Sequence, residues 1–213
     1  MAAVEAPKYH GFDATPQAQG LYDPRNEKDS CGVGMVADIT GTPSRAIVDG
    51  ALQVLENLDH RGARGCEKDT GDGAGILCGI PDQFMRRVAA ELSVTLPPPR
   101  EYAVGNVFLD RSEDGTQEGK RIFEQVCASI EGLRMIAWRS VPVESDCLGK
   151  TARDHEPAIE QAFIAAEGAL KKDLAKFEAA LFVLRKRAAN IAAQHADLPF
   201  YVCSLSPRII NYK

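Results

Sequence analysis

The chain has 213 residues, enough for one domain with its own hydrophobic core, and its 45% apolar and 26% charged content is ordinary globular usage. A net charge of −5 gives no reason to expect nucleic acid or an acidic membrane as a partner. The six cysteines (Cys31, Cys66, Cys78, Cys127, Cys147 and Cys203) stand far apart with no Cys-x-x-Cys pair, which argues against a zinc ribbon, an iron–sulfur site in this segment or a disulfide scaffold, and makes a reducing cytoplasm the simplest setting.

Residues 1–30 are polar and mix Lys8, Arg25 and Lys28 with Glu5, Asp13, Asp23, Glu27 and Asp29, so they read as a leader with no core, no secretory signal and no transit peptide. The pattern changes at Cys31. Val33, Met35, Ala37 and Ile39 alternate and predict a strand over residues 32–39. Gly41-Thr42-Pro43 is a turn, and Ser44 is placed to cap a helix that carries Ile47, Ala51, Leu55 and Leu58 on one stripe. That helix ends near His60-Arg61-Gly62, and a loop rich in glycine and charge runs on to Asp72.

A strand is expected over residues 75–80 and an amphipathic helix over 82–92, followed by the rigid connector Leu96-Pro97-Pro98-Pro99. Residues 102–109 are apolar on both faces, the pattern of a buried strand. A helix over 116–131 and a strand over 133–141 follow. Residues 157–168 predict a helix with Pro157 near its start. The longest helical pattern is 171–195, with Leu174, Phe177, Leu181, Leu184, Ala188 and Ile191 on one stripe. Residues 199–205 and 208–212 read as two strands in a hairpin around Ser206-Pro207. The apolar run 179–184 falls far short of the roughly 20 residues that cross a bilayer. The sum is an α+β domain. Its stop at Lys213, directly after a strand, reads as a truncation.

Cys31 is the sharpest chemical feature. It opens the first expected strand and is followed by Gly32 and Gly34, so substrate could approach it. Cleavage before Cys31 would give it a free α-amine of pKa roughly 7.7–8.0, able to take the thiol proton in the same residue. On position alone a buried structural cysteine is the favoured reading. His60 is a second candidate base, in a thiol-hydrolase arrangement with Cys31, although a histidine at a helix end is the plainer reading. Gly71-Asp72-Gly73-Ala74-Gly75 lacks the Lys-Ser/Thr of a phosphate loop and leads into a strand, so it reads as a structural turn. Lys171, Lys172, Lys176, Arg185, Lys186 and Arg187 read as a solvated helix face.

Several ordered motifs together resemble the N-terminal glutamine amidotransferase domain of the glutamate synthase large subunit. They are Leu21-Tyr22-Asp23-Pro24, the run Cys31-Gly32-Val33-Gly34-Met35-Val36-Ala37, His60-Arg61-Gly62-Ala63, and Thr70-Gly71-Asp72-Gly73-Ala74-Gly75-Ile76-Leu77. Phe177-Glu178, Leu184-Arg185-Lys186, Ser204-Leu205-Ser206, Arg208 and Tyr212-Lys213 extend the match to the last residue. The resemblance implies an N-terminal-nucleophile hydrolase fold, an αββα sandwich left incomplete here. Residues 1–30 would be a propeptide-like leader and 31–213 the N-terminal part of the amidotransferase domain. It implies Cys31 as nucleophile, its α-amine as base, and Arg61 as the residue that organises the site, through the fixed donor fork of its guanidinium. Asp72 would lie nearby without an assigned role.

The resemblance implies L-glutamine as substrate. The remainder of the large subunit and a small subunit would be partners, with no nucleic acid or membrane. It implies no cofactor in this segment, and FMN and an iron–sulfur cluster in full-length relatives. The family's oxyanion Asn-Gly element has no counterpart in this sequence. Loss of a single oxyanion donor costs roughly 100- to 1000-fold in turnover, so the chain by itself is expected to be poorly active or inactive. Two other readings stay open: a non-catalytic remnant or interaction module with the same partial fold, and an unrelated thiol hydrolase built on Cys31 and His60.

Overall fold

The computed structural model describes residues 20, 32–58, 67, 69–71, 73–195 and 198–212. In chain order these form α1 (Arg45–Asn57), β1 (Ile76–Gly79), α2 (Asp82–Glu91), β2 (Tyr102–Leu109), α3 (Glu113–Ala128), β3 (Leu133–Ser140), α4 (Lys150–Asp154), β4 (Ala158–Ala166), α5 (Leu174–Ala192), β5 (Phe200–Ser206) and β6 (Ile209–Tyr212).

The apolar run of β2 has no polar face to offer water, and the strand is accordingly central. It pairs antiparallel with β4 on one side and β5 on the other, in a four-stranded sheet of order β3-β4-β2-β5. Side chains alternate between the two faces of this sheet. Ala103, Val107 and Leu109 of β2 and Ala162, Ile164 and Ala166 of β4 join Ile122, Phe123 and Val126 of α3 in one core. Phe177, Leu181, Leu184 and Ala188 of α5, all on the expected stripe, complete it. Ser112 caps α3 by accepting from Gly115 N at 3.1 Å, and Asp173 caps α5 by accepting from Lys176 N at 3.0 Å.

On the opposite face, Tyr102 and Val104 of β2 and Phe163 of β4 meet Met85, Val88 and Ala89 of α2 and Ile210 of β6 in a second core. Strands β1 and β6 pair antiparallel in a separate two-stranded sheet, with Cys78 opposite Ile210 and Ile76 opposite Tyr212. The layers therefore run helix, sheet, sheet, and α1 touches the outer sheet at β1. Mixed helices and antiparallel sheets give the α+β class expected. Among the described residues no helix is long and apolar enough to cross a membrane.

Three local expectations are corrected. Residues 157–168 are not a helix: Ala158–Ala166 is β4, buried at its last seven positions. Ala, Glu and Gln favour a helix locally, but a short continuous apolar run is also the mark of a strand covered on both faces, and burial between β2 and β3 decides it. The alanines of β4 leave room for α3 and α5 to lie close. Second, β5 and β6 are not a hairpin within one sheet. Ser206-Pro207 is a corner at which the chain passes from one sheet to the other. The Ser206 hydroxyl holds that corner, accepting from the N–H of Arg208 at 3.0 Å and of Ile209 at 3.3 Å while donating to Glu178 Oε1 at 2.8 Å. Third, residues 32–38 form no strand. A strand needs a neighbour for its backbone groups, and no described strand lies beside this one. Val33, Met35 and Ile39 are 94%, 89% and 103% exposed.

Candidate active site

Cys31, His60, Arg61 and Asp72 lie outside the described residues, whereas the segments that flank them are described. Gly34 and Val36 rest on α1. A Cβ on Gly34 would fall 2.2 Å from Cγ1 of Val54, and Val36 Cγ1 stands 3.4 Å from where a Cβ on Gly50 would be. Residue 34 therefore faces 54 and residue 36 faces 50, so the segment runs antiparallel to the helix. Its start at Gly32 and the helix C-terminus at Leu58 lie toward one end. Cys31 is the residue before Gly32, and Arg61 follows Leu58 by three positions. The helix expected from Ser44 is present, with Ser44 at its N-cap position. It buries no residue fully: Ile47, Ala51, Leu55 and Leu58 are half-buried.

Beyond Arg61 the chain is tied down at Glu67, a residue that sequence reading did not single out. Its Oε1 accepts from Thr151 Oγ1 at 2.9 Å, and its Oε2 accepts from Thr151 N at 3.0 Å and from Thr70 Oγ1 at 2.7 Å. Asp69 O accepts from Gly149 N at 3.2 Å. The Thr70 hydroxyl, followed by the Thr151 backbone and side chain, holds the Glu67 carboxyl below its ordinary value. Gly149 permits the contact, because a Cβ there would sit 2.2 Å from Thr70 Oγ1. A long-range clamp of this kind leaves no local pattern; the only trace was a lone glycine ahead of a short helix. Gly73 follows with φ +91, a conformation that side chains rarely adopt, in keeping with a structural glycine turn leading into β1.

The two sheets are stitched by polar groups next to this turn. Across the inner face of the large sheet stand Arg139, Gln161, Asn106 and Ser204, each opposite the next in register. Arg139 Nη1 donates to Gln161 Oε1 at 2.9 Å, and Asn106 Nδ2 donates to Asn211 O of β6 at 2.7 Å. Asn211 N in turn donates to Ser204 Oγ at 3.2 Å. Their neighbour Tyr212 pairs with Ile76, the first residue of β1 after the glycine turn.

Two other cysteines, Cys78 and Cys127, are poorly suited to a nucleophile's role. Burial pushes the Cys78 thiol up, and burial together with Glu124 pushes Cys127 up to about 11. The thiol is the inert form of the residue. Among the described residues no group of three or more His, Cys, Asp or Glu is arranged to hold a metal ion. A cavity of about 310 Å³ lies between Asp82, Arg100, Tyr102 and Arg208. It opens at the Gly79–Ile209 end of the small sheet, away from Gly73.

Residues 31–213 match the family model described as Glutamine amidotransferases class-II, and the chain belongs to that family. It is 42% identical over 204 residues to Glutamate synthase [NADH] of Schizosaccharomyces pombe, a match covering 94% of this chain and 10% of that protein. The Glutamate synthase [NADPH] large chain of Bacillus subtilis is 42% identical over 204 residues, covering 95% of this chain and 13% of that one. Ferredoxin-dependent glutamate synthase 1, chloroplastic/mitochondrial, of Arabidopsis thaliana is 35% identical over 199 residues, covering 93% and 12%. Within its class, then, this is an amidotransferase domain of the glutamate synthase type. The chain spans about a tenth of the length of these relatives.

Proposed function

We propose that the domain hydrolyses L-glutamine at Cys31, after removal of residues 1–30. The neutral α-amine of Cys31 takes the thiol proton. The thiolate attacks the side-chain amide carbon, and the protonated amine returns a proton to the departing nitrogen, so that ammonia leaves and a glutamyl thioester remains. Water then attacks the thioester, the amine again serving as base, and glutamate is released with the thiol restored. Arg61 orders the site beside the nucleophile through its planar donor fork.

The observation that carries this reading is the family match, which begins at Cys31 itself. The antiparallel lie of residues 34–36 on α1 supports the pairing of Cys31 with Arg61, because it turns both flanks toward one end. The raised thiol pKa values of Cys78 and Cys127 support Cys31 over those alternatives. In the same reading FMN, the iron–sulfur cluster and any small subunit belong to polypeptide outside these residues, and the setting is the cytoplasm.

The test uses the complete polypeptide. Its mature N-terminus should sequence as Cys31, and Cys31→Ala should abolish ammonia release from glutamine, while His60→Ala should leave a folded, measurably active enzyme. Full glutamine turnover with the leader still attached would overturn the proposal.

A further inference from the structure

The polar row between the sheets contains two amides whose orientations are fixed by their neighbours. Asn211 O can only accept, so Asn106 presents its Nδ2 there and turns Oδ1 away. Arg139 can only donate, so Gln161 presents its Oε1 and turns Nε2 away. One acceptor and one donor are left over, and neither Asn106 Oδ1 nor Gln161 Nε2 has a hydrogen-bond partner in the protein. Both side chains are deeply buried, Gln161 at 0% exposure and Asn106 at 3%. Directly opposite residues on paired strands share a face, with Cβ atoms roughly 5 Å apart, so Asn106 and Gln161 stand side by side on the face of the sheet from which Asn106 reaches β6.

A third polar group faces them. Tyr212 of β6 packs against this core, and its hydroxyl lies beside Gln161, whose amide opposes the upward push that burial gives the phenol. Buried polar atoms are almost always satisfied by protein or ordered water, and a buried water makes about three hydrogen bonds. Together these side chains offer one donor, one acceptor and one group that serves as either.

We propose that a water molecule is bound between the two sheets, accepting from Gln161 Nε2, donating to Asn106 Oδ1 and bonding the Tyr212 hydroxyl. Water is the smallest molecule able to accept and donate at once, and no ionisable group is needed to recognise it. Bound there, it closes the polar row across the sheet and joins β6 to β2 and β4 beside the glycine turn that leads into β1.

The test is a high-resolution crystal structure of the complete polypeptide, together with water-oxygen magnetic relaxation dispersion, which counts long-lived internal waters. The expected result is a density peak within hydrogen-bonding distance of all three atoms, and the loss of one long-lived water in Gln161→Met. Tyr212→Phe, a milder change that keeps the ring, should shorten the water's residence time. Thermal unfolding supplies a further measure: Gln161→Met and Asn106→Leu should each lower Tm, and the double variant should fall by less than the sum. A direct Gln161 Nε2 to Asn106 Oδ1 hydrogen bond with no room between them, or strictly additive Tm losses with an unchanged water count, would overturn the proposal.

Discussion

The two halves of this domain handle apolar residues in opposite ways. Around β2 and β4 the large hydrophobic side chains are covered on both faces by α3 and α5 on one side and by α2 and β6 on the other. Along residues 32–39 equally apolar side chains stand open, and Leu77 and Ile209 on the outer face of the small sheet are 62% and 42% exposed. Both stretches alternate or run apolar in sequence, so the pattern marks what a segment can bury and says nothing of what is at hand to cover it. The stability of the described structure is therefore concentrated in the large sheet. Among the described residues, the segment that follows Cys31 is held mainly by the fit of Gly34 and Val36 onto α1.

Substitutions can break or sharpen that contrast. Phe177→Ala, in the fully covered core, should cost about 3–5 kcal/mol by loss of transfer energy and creation of a cavity, read as a fall in the denaturant midpoint. Gly34→Ala should cost about 1–3 kcal/mol, because its Cβ would collide with Val54, and Val54→Ala in the same chain should recover part of the loss. Val33→Ser, at the adjacent position but open to solvent, should stay within about 0.5 kcal/mol of the parent. A Val33→Ser loss as large as that of Phe177→Ala would show that the apolar edge is covered after all.

The smallest expected effect is a pH dependence at the Glu67 clamp. Its folded pKa lies below the ordinary value of 4.5. The clamp's contribution is therefore complete above the unfolded pKa and is lost as pH falls through the folded one. Acid titration of unfolding in the parent and in Glu67→Gln should show this window flattened in the variant. Identical acid limbs would mean that Thr70 and Thr151 add nothing through that carboxyl.

Much of the order of elements was legible in the sequence because it is local. A stripe at 3.6-residue spacing gave α5, and an unbroken apolar run gave β2. A helix was expected where strand β4 stands, because alanine, glutamate and glutamine report a local preference that burial between two strands overrides. The strand expected at 32–39 failed for the complementary reason, since its pattern was right and its neighbour absent from the described residues. For the candidate site, Cys31 and Arg61 were expected from ordered motifs and lie outside the described residues, whereas Glu67 depends on a partner 84 residues away and leaves no periodic trace. The inter-sheet row was equally hidden. Asn106 and Gln161 look like polar interruptions of apolar strands until the register sets them side by side.

The corner at Ser206-Pro207 has a consequence for assembly. By sending β6 across to β1, it makes the small sheet out of two strands far apart in the chain, with Ile76 waiting for Tyr212. On a ribosome, β1 emerges early, and its strand partner among the described residues, β6, follows only when nearly the whole segment has left the tunnel. Contacts so distant along the chain form slowly. The glycine turn at the mouth of β1 is thus among the last parts to be fixed.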